Sequence, residues 1–460
     1  MRRRAGEDDT ICAISTAVGL AGIGVVRVSG EKAFQVVQPL YRGKGLLSEF
    51  TSHTAHFGHV VNPATQTLID EALFLVMHGP RTYTTEDTVE IQTHGNPLIL
   101  EKILSILLSQ GARLASPGEF TRRAFLAGRL DLAQAEAVIE VITSQNWGHH
   151  AWALNQLRGD LSKKIIQLRE CLLGIVAQIE ASIDFSEEGI TFSSAEQMFK
   201  EIQQVSSEVD KILSSYAEGR KIQDGFNLVI AGRPNVGKSS LMNLLLQEDR
   251  AIVTPVPGTT RDLLQERLQL DGLVLQLTDT AGYRETDDPI EAEGVRRGAN
   301  AIKNADLVLW VIDASEPCRP EDDLLSSRLR GVQKLIVLNK VDLVRRFDFT
   351  AFEKDHPETQ ISLSTITKAG VETLKKEVIH LLSHQPEHER PIVALLRHKN
   401  ALESAARALK RAEETAEKKA SWEFLAADLR EALDALGEIV GETTTDEILD
   451  QVFNQFCIGK

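Results

Sequence analysis

Cysteine is scarce in this sequence. Cys12, Cys171, Cys318 and Cys457 lie far apart with no CxxC pair, which argues against both a disulfide framework and a zinc site. Long apolar runs are missing too, and none approaches the ~18 residues needed to cross a bilayer. The opening Met1-Arg2-Arg3-Arg4 is basic, but Glu7, Asp8 and Asp9 follow at once and no apolar stretch comes next. That is unlike a signal or transit peptide, so a cytoplasmic protein with no membrane partner is expected. Positive charge is in deficit: 51 Lys and Arg stand against 66 Asp and Glu, a formal charge of −15. A protein that wraps nucleic acid by itself usually carries a basic excess. Any RNA contact is therefore expected through a local basic patch or a second subunit. Internal repeats and low-complexity segments are also lacking.

What is present is ordinary globular material, 42% hydrophobic and 25% charged over 460 residues, enough for roughly two to four domains. Residues 10–122 read as a compact α/β unit. Runs rich in β-formers at 23–28, 72–76 and 88–92 alternate with helical stretches such as 98–108, until Ser116-Pro117-Gly118 breaks the pattern. From 123 the texture turns helical. Leu154, Leu157, Leu161, Ile165, Leu168, Leu172, Ile175 and Ile179 recur at steps of three and four, the stripe of one long amphipathic helix. Trp422, Leu425, Leu429, Leu433, Leu436 and Val440 keep the same step. A last helix is expected to open at Thr444-Thr445-Asp446-Glu447, a capping box with Thr444 as the cap. Between these tracts, from 217 to 383, strands and helices alternate as in a parallel sheet with crossover helices. The expected fold is α/β plus all-α. It has an N-terminal α/β domain (1–122) and a helical domain in two pieces (123–216 and 384–460), with a second α/β domain (217–383) inserted between them. Such insertions are tolerated because domain termini often lie close together.

Chemistry concentrates in the inserted domain. Phe226-Asn227-Leu228-Val229-Ile230-Ala231 is a buried-strand pattern that runs into Gly232-Arg233-Pro234-Asn235-Val236-Gly237-Lys238-Ser239-Ser240 and then an apolar helix. This is the GxxxxGKS phosphate loop. Its glycines let backbone N–H groups point at phosphate, and the next helix adds its positive end. Lys238 is expected on the β- and γ-phosphates and the Ser239 hydroxyl on Mg²⁺. Thr278-Asp279-Thr280-Ala281-Gly282 closes a strand at 273–277, which puts Asp279 next to the metal and the Gly282 amide near the γ-phosphate. A further strand, 335–338, ends in Asn339-Lys340-Val341-Asp342. A carboxylate there accepts hydrogen bonds from guanine N1–H and the amino group, whereas adenine leaves it unpaired at considerable cost. Ser364, Thr365 and Ile366 form a final loop backing the base. The nucleotide read from these elements is GTP, and the inserted domain is of the Ras-like P-loop GTPase type.

More motifs lie outside that domain. They are Asp9-Thr10-Ile11, Gly24-Val25-Val26-Arg27-Val28-Ser29-Gly30 and Glu86-Asp87-Thr88-Val89-Glu90-Ile91-Gln92-Thr93-His94-Gly95. Pro117-Gly118-Glu119-Phe120 with Arg123-Ala124-Phe125, Leu130-Asp131-Leu132-Ala133-Gln134-Ala135-Glu136-Ala137 and Phe456-Cys457-Ile458-Gly459-Lys460 complete the set. With them the whole chain resembles the MnmE (TrmE) family of tRNA-modification GTPases, in the TrmE-Era-like P-loop group. The resemblance implies an N-terminal domain of folate-binding type that mediates dimerisation and binds 5-formyl-tetrahydrofolate or a related one-carbon folate. It also implies a homodimer joined to an FAD-containing subunit, MnmG, in a heterotetramer-type complex. That pair would install an aminomethyl or carboxymethylaminomethyl group at C5 of the wobble uridine of certain tRNAs.

Tyr283 stands where Ras-like enzymes keep the glutamine that orients the attacking water. Arg284 is a nearby cation, but the sequence declares no arginine finger. By resemblance Glu291 is the carboxylate that orders the water, directly or through a second water, with Glu293 as the competing candidate. The resemblance also assigns a K⁺ site to Asn235 and the loop Thr254-Pro255-Val256-Pro257-Gly258-Thr259-Thr260, with oxygens of Asn235, Thr254, Val256 and Thr259 as ligands. Amide and carbonyl oxygens can replace the hydration shell of a monovalent cation, placing its charge near the phosphates. Thr260 would be the switch threonine on Mg²⁺, and Arg261 and Asp262 would couple the switch to dimerisation.

Arg27, Glu90, Arg129 and Lys460 match the family's folate-contacting positions. Glu90 suits the amine-rich pterin edge, and the basic groups suit the glutamate tail. Arg129 departs from the familiar lysine, keeping the charge but changing the geometry. Thr85 and Asn96 stand where glycines are familiar. Cys457, among Phe453, Phe456 and Ile458, reads either as a buried inert thiol or as a functional residue. The competing function is a GTP-dependent ribosome-assembly factor, but no second P-loop and no GXXG of KH type in an RNA-binding context accompany this one. A membrane-remodelling GTPase would need an apolar or basic insertion run that is lacking here.

Overall fold

The structure, a computed structural model, describes residues 9–144, 146–184, 195–249, 266–270, 273–279, 299–347, 359–383, 392–418 and 421–460. They divide into two compact units. One comprises Met1–Ile142, Leu154–Asp210 and Asn400–Lys460; the other comprises Thr143–Ala153 and Lys211–Lys399.

The first unit holds a seven-stranded sheet of order β3-β4-β5-β6-β2-β1-β7. Its strands are β1 Ile11–Ile14, β2 Ala21–Ser29, β3 Tyr41–Arg42, β4 Thr54–Val61, β5 Leu68–Met77, β6 Thr88–Gly95 and β7 Arg113–Leu114. All neighbours are antiparallel except β1 and β7. In β6, Val89, Ile91 and Thr93 are buried at every second position, the period of a strand with one covered face. The helix Pro97–Ser109 joins the same core through Leu100, Ile103, Ile106 and Leu107. It starts where the Asn96 side chain accepts a hydrogen bond from the Leu98 amide and Pro97 fills the first turn. That use for a side chain at 96 explains why a residue other than glycine serves there. Thr85 adopts φ +66, a backbone that glycine takes without strain and a β-branched residue rarely adopts.

The helical part of this unit departs from the sequence reading at two places. The stripe from Leu154 does not belong to one helix. Gly159, at φ +84, separates Trp147–Leu157 from Asp160–Asp184, and Leu161, Ile165, Leu172, Ile175 and Ile179 are buried along the second. This helix packs against Trp422–Val440, where Leu425, Leu429, Leu433 and Leu436 form the buried stripe. Arg169 donates to the Leu433 carbonyl and pairs with Glu442, and Arg430 pairs with Glu180. The cap of the last helix is the second correction. The Thr444 hydroxyl turns back to the Glu438 carbonyl, so the helix is Asp446–Phe453 and its cap is Thr445, whose hydroxyl accepts from the Ile448 amide. Thr445→Ala is expected to cost about 1 kcal/mol of stability, read as a lowered urea midpoint by far-UV circular dichroism; an unchanged midpoint would discount the cap.

The second unit holds a six-stranded sheet of order β13-β12-β11-β8-β10-β9. The strands are β8 Phe226–Ala231, β9 Glu266–Leu270, β10 Leu273–Asp279, β11 Leu307–Asp313, β12 Lys334–Asn339 and β13 Gln360–Ser362. All pairs are parallel except that of β9 with β10. Every residue of β11 is buried, as expected of a parallel strand covered on both faces. Leu228 and Leu309 belong to one core, Val229 and Trp310 to the other. Because β8 lies between β11 and β10, the chain reverses its lateral direction there, and the loops above these strand ends flank a crevice. The unit is pinched at its base. The Ser215 hydroxyl accepts from the Ile392 and Val393 amides at 3.1 and 3.3 Å, and a Cβ at Gly219 would lie 2.1 Å from the Val393 carbonyl oxygen. Among the described residues, no helix is long and apolar enough to cross a membrane.

Candidate functional site

The loop after β8 is held in a strained curl. Asn235 takes φ +65 and Gly237 φ +100, and a Cβ at Gly237 would lie 2.2 Å from the Asn339 amide nitrogen. Only glycine fits both the backbone and that approach. Asn339 is fully buried; it donates to the Val236 carbonyl at 2.8 Å and accepts from the Thr365 amide at 3.3 Å. One side chain thus joins three loops that lie far apart in sequence. Lys340 takes φ +64 and donates to the Asn235 carbonyl at 2.8 Å and to Asp313 at 2.6 Å. Burial alone pushes the Asp313 carboxyl up, yet hydrogen bonds from Lys340 and Ser315 bring it below the usual aspartate range. Lys238 opens the helix Lys238–Asp249, and its buried ammonium rests on the Arg233 carbonyl at 2.9 Å. Ser364, also fully buried, accepts from the Ile366 and Thr367 amides and so shapes the third loop.

These loops border a cleft of about 390 Å³ lined by Asn235, Gly237, Lys238, Ser239, Ser240, Asn339, Lys340, Asp342, Leu343, Thr365 and Ile366. Val236, Val341 and Ser364 belong to the same loops. Asp279 ends β10 level with Ile230 of β8; its side chain is outside the described residues. So are Thr254, Pro255, Val256, Pro257, Gly258, Thr259, Thr260, Arg261, Asp262, Thr280, Ala281, Gly282, Arg284, Glu291 and Glu293. The arrangement offers a lysine, backbone amides of a helix start and a hydroxyl at one end, and a carboxylate with an apolar rim at the other. That combination can hold a phosphate chain and a base together. Leu343 on the rim and Asp313 behind the loop were not singled out in the sequence reading. Leu343 directly follows Asp342 and Asp313 closes β11 where Lys340 meets it, but neither residue type marks itself.

A second polar corner forms in the first unit. Arg27 and Glu90 are cross-strand partners in β2 and β6, joined at 2.8 Å with 17% and 15% of their side chains exposed. The Arg27 guanidinium lies over the Tyr83 and Phe120 rings, and Arg129 lies over the other side of this corner, 4.9 Å from the Tyr83 ring and bonded to the Tyr83 carbonyl. Burial and the nearby Arg27 push the Lys460 ammonium below the usual lysine range, against the pull of Glu90 and Cys457. The terminal run is seated by Ser15, which donates to the Gly459 carbonyl, and a Cβ at Gly459 would lie 2.4 Å from the Ile14 carbonyl oxygen. All four candidates, Arg27, Glu90, Arg129 and Lys460, therefore meet around Tyr83 and the β2–β6 pair. Tyr83 itself carried no motif signal. Cys457 is exposed although Phe453 and Phe456 are buried, so the buried-thiol reading does not hold. Behind this corner Arg123, 5% exposed, bonds Glu86, Glu119 and the Asp9 carbonyl. That network gives a structural reason for the carboxylates at 86 and 119, while the Asp9 carboxylate pairs with Arg113. Among the described residues no group of three or more His, Cys, Asp or Glu could hold a metal ion.

Comparison with known proteins identifies the family. Residues 10–129 match the family model described as GTP-binding protein TrmE N-terminus, and residues 132–457 match the MnmE helical domain. The tRNA modification GTPase MnmE of Geotalea uraniireducens is 42% identical over 456 residues, covering 98% of this chain and 99% of the relative. That of Alkaliphilus oremlandii is 40% identical over 458 residues, with 98% and 99% covered. Among solved structures, the G domain of the T. maritima FeoB iron transporter is 26% identical, covering 34% of this chain and 98% of that one with a TM-score of 0.27. With two domain models and full-length relatives in agreement, the chain belongs to the MnmE family of tRNA-modification GTPases.

Proposed function

We propose that this chain is a K⁺-activated GTP hydrolase. With an FAD-containing partner, MnmG, it adds an aminomethyl or carboxymethylaminomethyl group to C5 of the wobble uridine of certain tRNAs. The observation that carries the reading is the convergence of Lys238, Ser239 and Asp342 on one cleft, in a chain that aligns with MnmE relatives over nearly their whole length. Lys238 and the loop amides would bind the phosphates, and Ser239 would hold Mg²⁺ together with Thr260 and Asp279. Asp342 accepts from the guanine edge, while Ile366 and Leu343 cover its apolar face. The donor set at the loop fits a monovalent cation, because Asn235 lines the cleft and its side-chain amide oxygen would be a neutral ligand, while its backbone carbonyl is already engaged by Lys340. Bound cations there supply positive charge to the phosphate oxygens as negative charge grows on them. Glu291 would order the attacking water, with Arg284 nearby.

The corner around Tyr83 is the proposed site for a one-carbon folate, in a homodimer. Its donor set suits that ligand: Glu90 can accept from an amino-substituted ring, Arg27, Arg129 and Lys460 can meet carboxylates, and Tyr83 offers an aromatic face. Mass analysis of nucleosides from the tRNA of cells with and without the gene tests the whole reading. Loss of C5-aminomethyl-type wobble uridines is expected on deletion. Unchanged uridines would leave a GTPase and turn attention to ribosome assembly.

A further inference from the structure

We propose that Arg233 is a positioning residue for nucleotide binding: its guanidinium ties the phosphate loop to the segment after β11, and its carbonyl accepts from the Lys238 ammonium. The inference rests on reading the cleft as a GTP site. Arg233 is the second residue of the loop, yet its side chain does not line the cleft. It is 8% exposed, with Nη1 2.7 Å from Glu316 and Nε 3.3 Å from Asp322. Asp322 is 1% exposed, sits in the first turn of the helix Pro320–Arg328 and accepts from the Arg319 amide at 3.1 Å. Arg319 in turn pairs with Glu316 at 3.0 Å. Two carboxylates from one short segment therefore converge on a guanidinium that is almost dry.

The same segment begins at Asp313, which anchors Lys340 and through it the Asn235 carbonyl. The loop is thus gripped twice, at 233 by Glu316 and Asp322, which do not line the cleft, and at 235 by Lys340, which does. What these grips fix is the direction of the loop's N–H groups and the place of the Lys238 ammonium, and the grip at 233 does so without touching the nucleotide. Arg233 Nε and Nη2 and Asp322 Oδ1 have no hydrogen-bond partner among the described residues, so Asp322 holds the guanidinium as an ion pair and Glu316 supplies the hydrogen bond. Removing the arginine would strand the buried Asp322 carboxylate beside the loop, and small displacements of a binding cradle are costly.

The test is equilibrium titration of the full chain with GDP and with inosine diphosphate, alongside GTP turnover. Arg233→Ala is expected to weaken GDP about tenfold, with kcat within about threefold and the GDP-to-inosine-diphosphate ratio unchanged, since Asp342 is untouched. Arg233→Lys is expected to recover most of the loss. Glu316→Gln, a change at the partly exposed end, should weaken GDP about threefold and add little to Arg233→Ala, as coupled residues do. Wild-type GDP affinity in Arg233→Ala, or a collapsed base ratio in a folded variant, would overturn the positioning role. If Arg233→Ala does not fold, Glu316→Gln decides alone: wild-type affinity overturns the proposal and the threefold loss supports it. A wild-type chain that binds neither nucleotide would refute the GTP reading and this inference with it.

Discussion

Asp342→Asn is expected to lower GTP affinity by about a hundredfold and to raise affinity for xanthosine triphosphate over wild type. Asp342 lines the cleft near the start of the loop that follows β12, beside Asn339 and Lys340. As a carboxylate it offers only acceptors, matched to the N1–H and amino donors of guanine. An asparagine presents one acceptor and one donor, and the donor then faces the guanine amino group. Hydrogen bonds to a charged partner are worth about 1.5–3 kcal/mol each, so losing one and opposing another costs about 3 kcal/mol. Xanthine carries a carbonyl in place of that amino group and accepts the asparagine donor. Competitive titration with the two triphosphates checks both halves. Undiminished GTP binding would remove Asp342 from the base site, and a loss without any gain for xanthosine triphosphate would reduce it to a structural role.

Turnover in K⁺ is expected to exceed turnover in Na⁺ at equal ionic strength by about two orders of magnitude, the scale on which one well-placed charge acts in a transition state. The response should vanish when the Asn235 amide is removed. Asn235→Ala alone is ambiguous, because the position has φ +65 and alanine would add about 1 kcal/mol or more of left-handed strain. Asn235→Gly keeps the backbone, and with it the carbonyl that Lys340 holds, while deleting the oxygen. Steady-state GTP hydrolysis by both variants in the two salts decides the matter. Equal rates in K⁺ and Na⁺ for the wild type, or a K⁺ response retained by Asn235→Gly, would rule out a cation held by this side chain.

Much of the second unit was legible because local and global signals coincide there. Phe226–Ala231 is a strand to the residue, since an unbroken apolar run before a glycine-rich turn has few other uses. The cap of the last helix was misplaced by one position, because Thr443, Thr444 and Thr445 have equal side-chain chemistry and are separated only by the Asp434 and Glu438 carbonyls, which take the hydroxyls of the first two. The break at Gly159 was hidden for a similar reason. The apolar spacing from Leu154 to Ile179 continues through it, and hydrophobic period carries no record of a single left-handed residue. Arg233 and Tyr83 were passed over because their importance lies in what folds against them. Glu316 and Asp322 surround the first, and Arg27, Arg129 and Thr121 the second.

The pinch at Ser215 bears on the order in which the chain can assemble. Helices Asp160–Asp184 and Trp422–Val440 belong together but are separated by more than two hundred residues of chain. During synthesis the first must wait for the second, with its apolar stripe uncovered. Once the Ser215 hydroxyl has taken the Ile392 and Val393 amides, those residues become the neck of a closed loop. The span left to search then shrinks roughly fourfold, and the entropic cost of closing it falls by about 1 kcal/mol. The nucleotide-binding unit, completed earlier on the ribosome than the helices around it, would act as a folded staple that delivers its two flanking segments to one place.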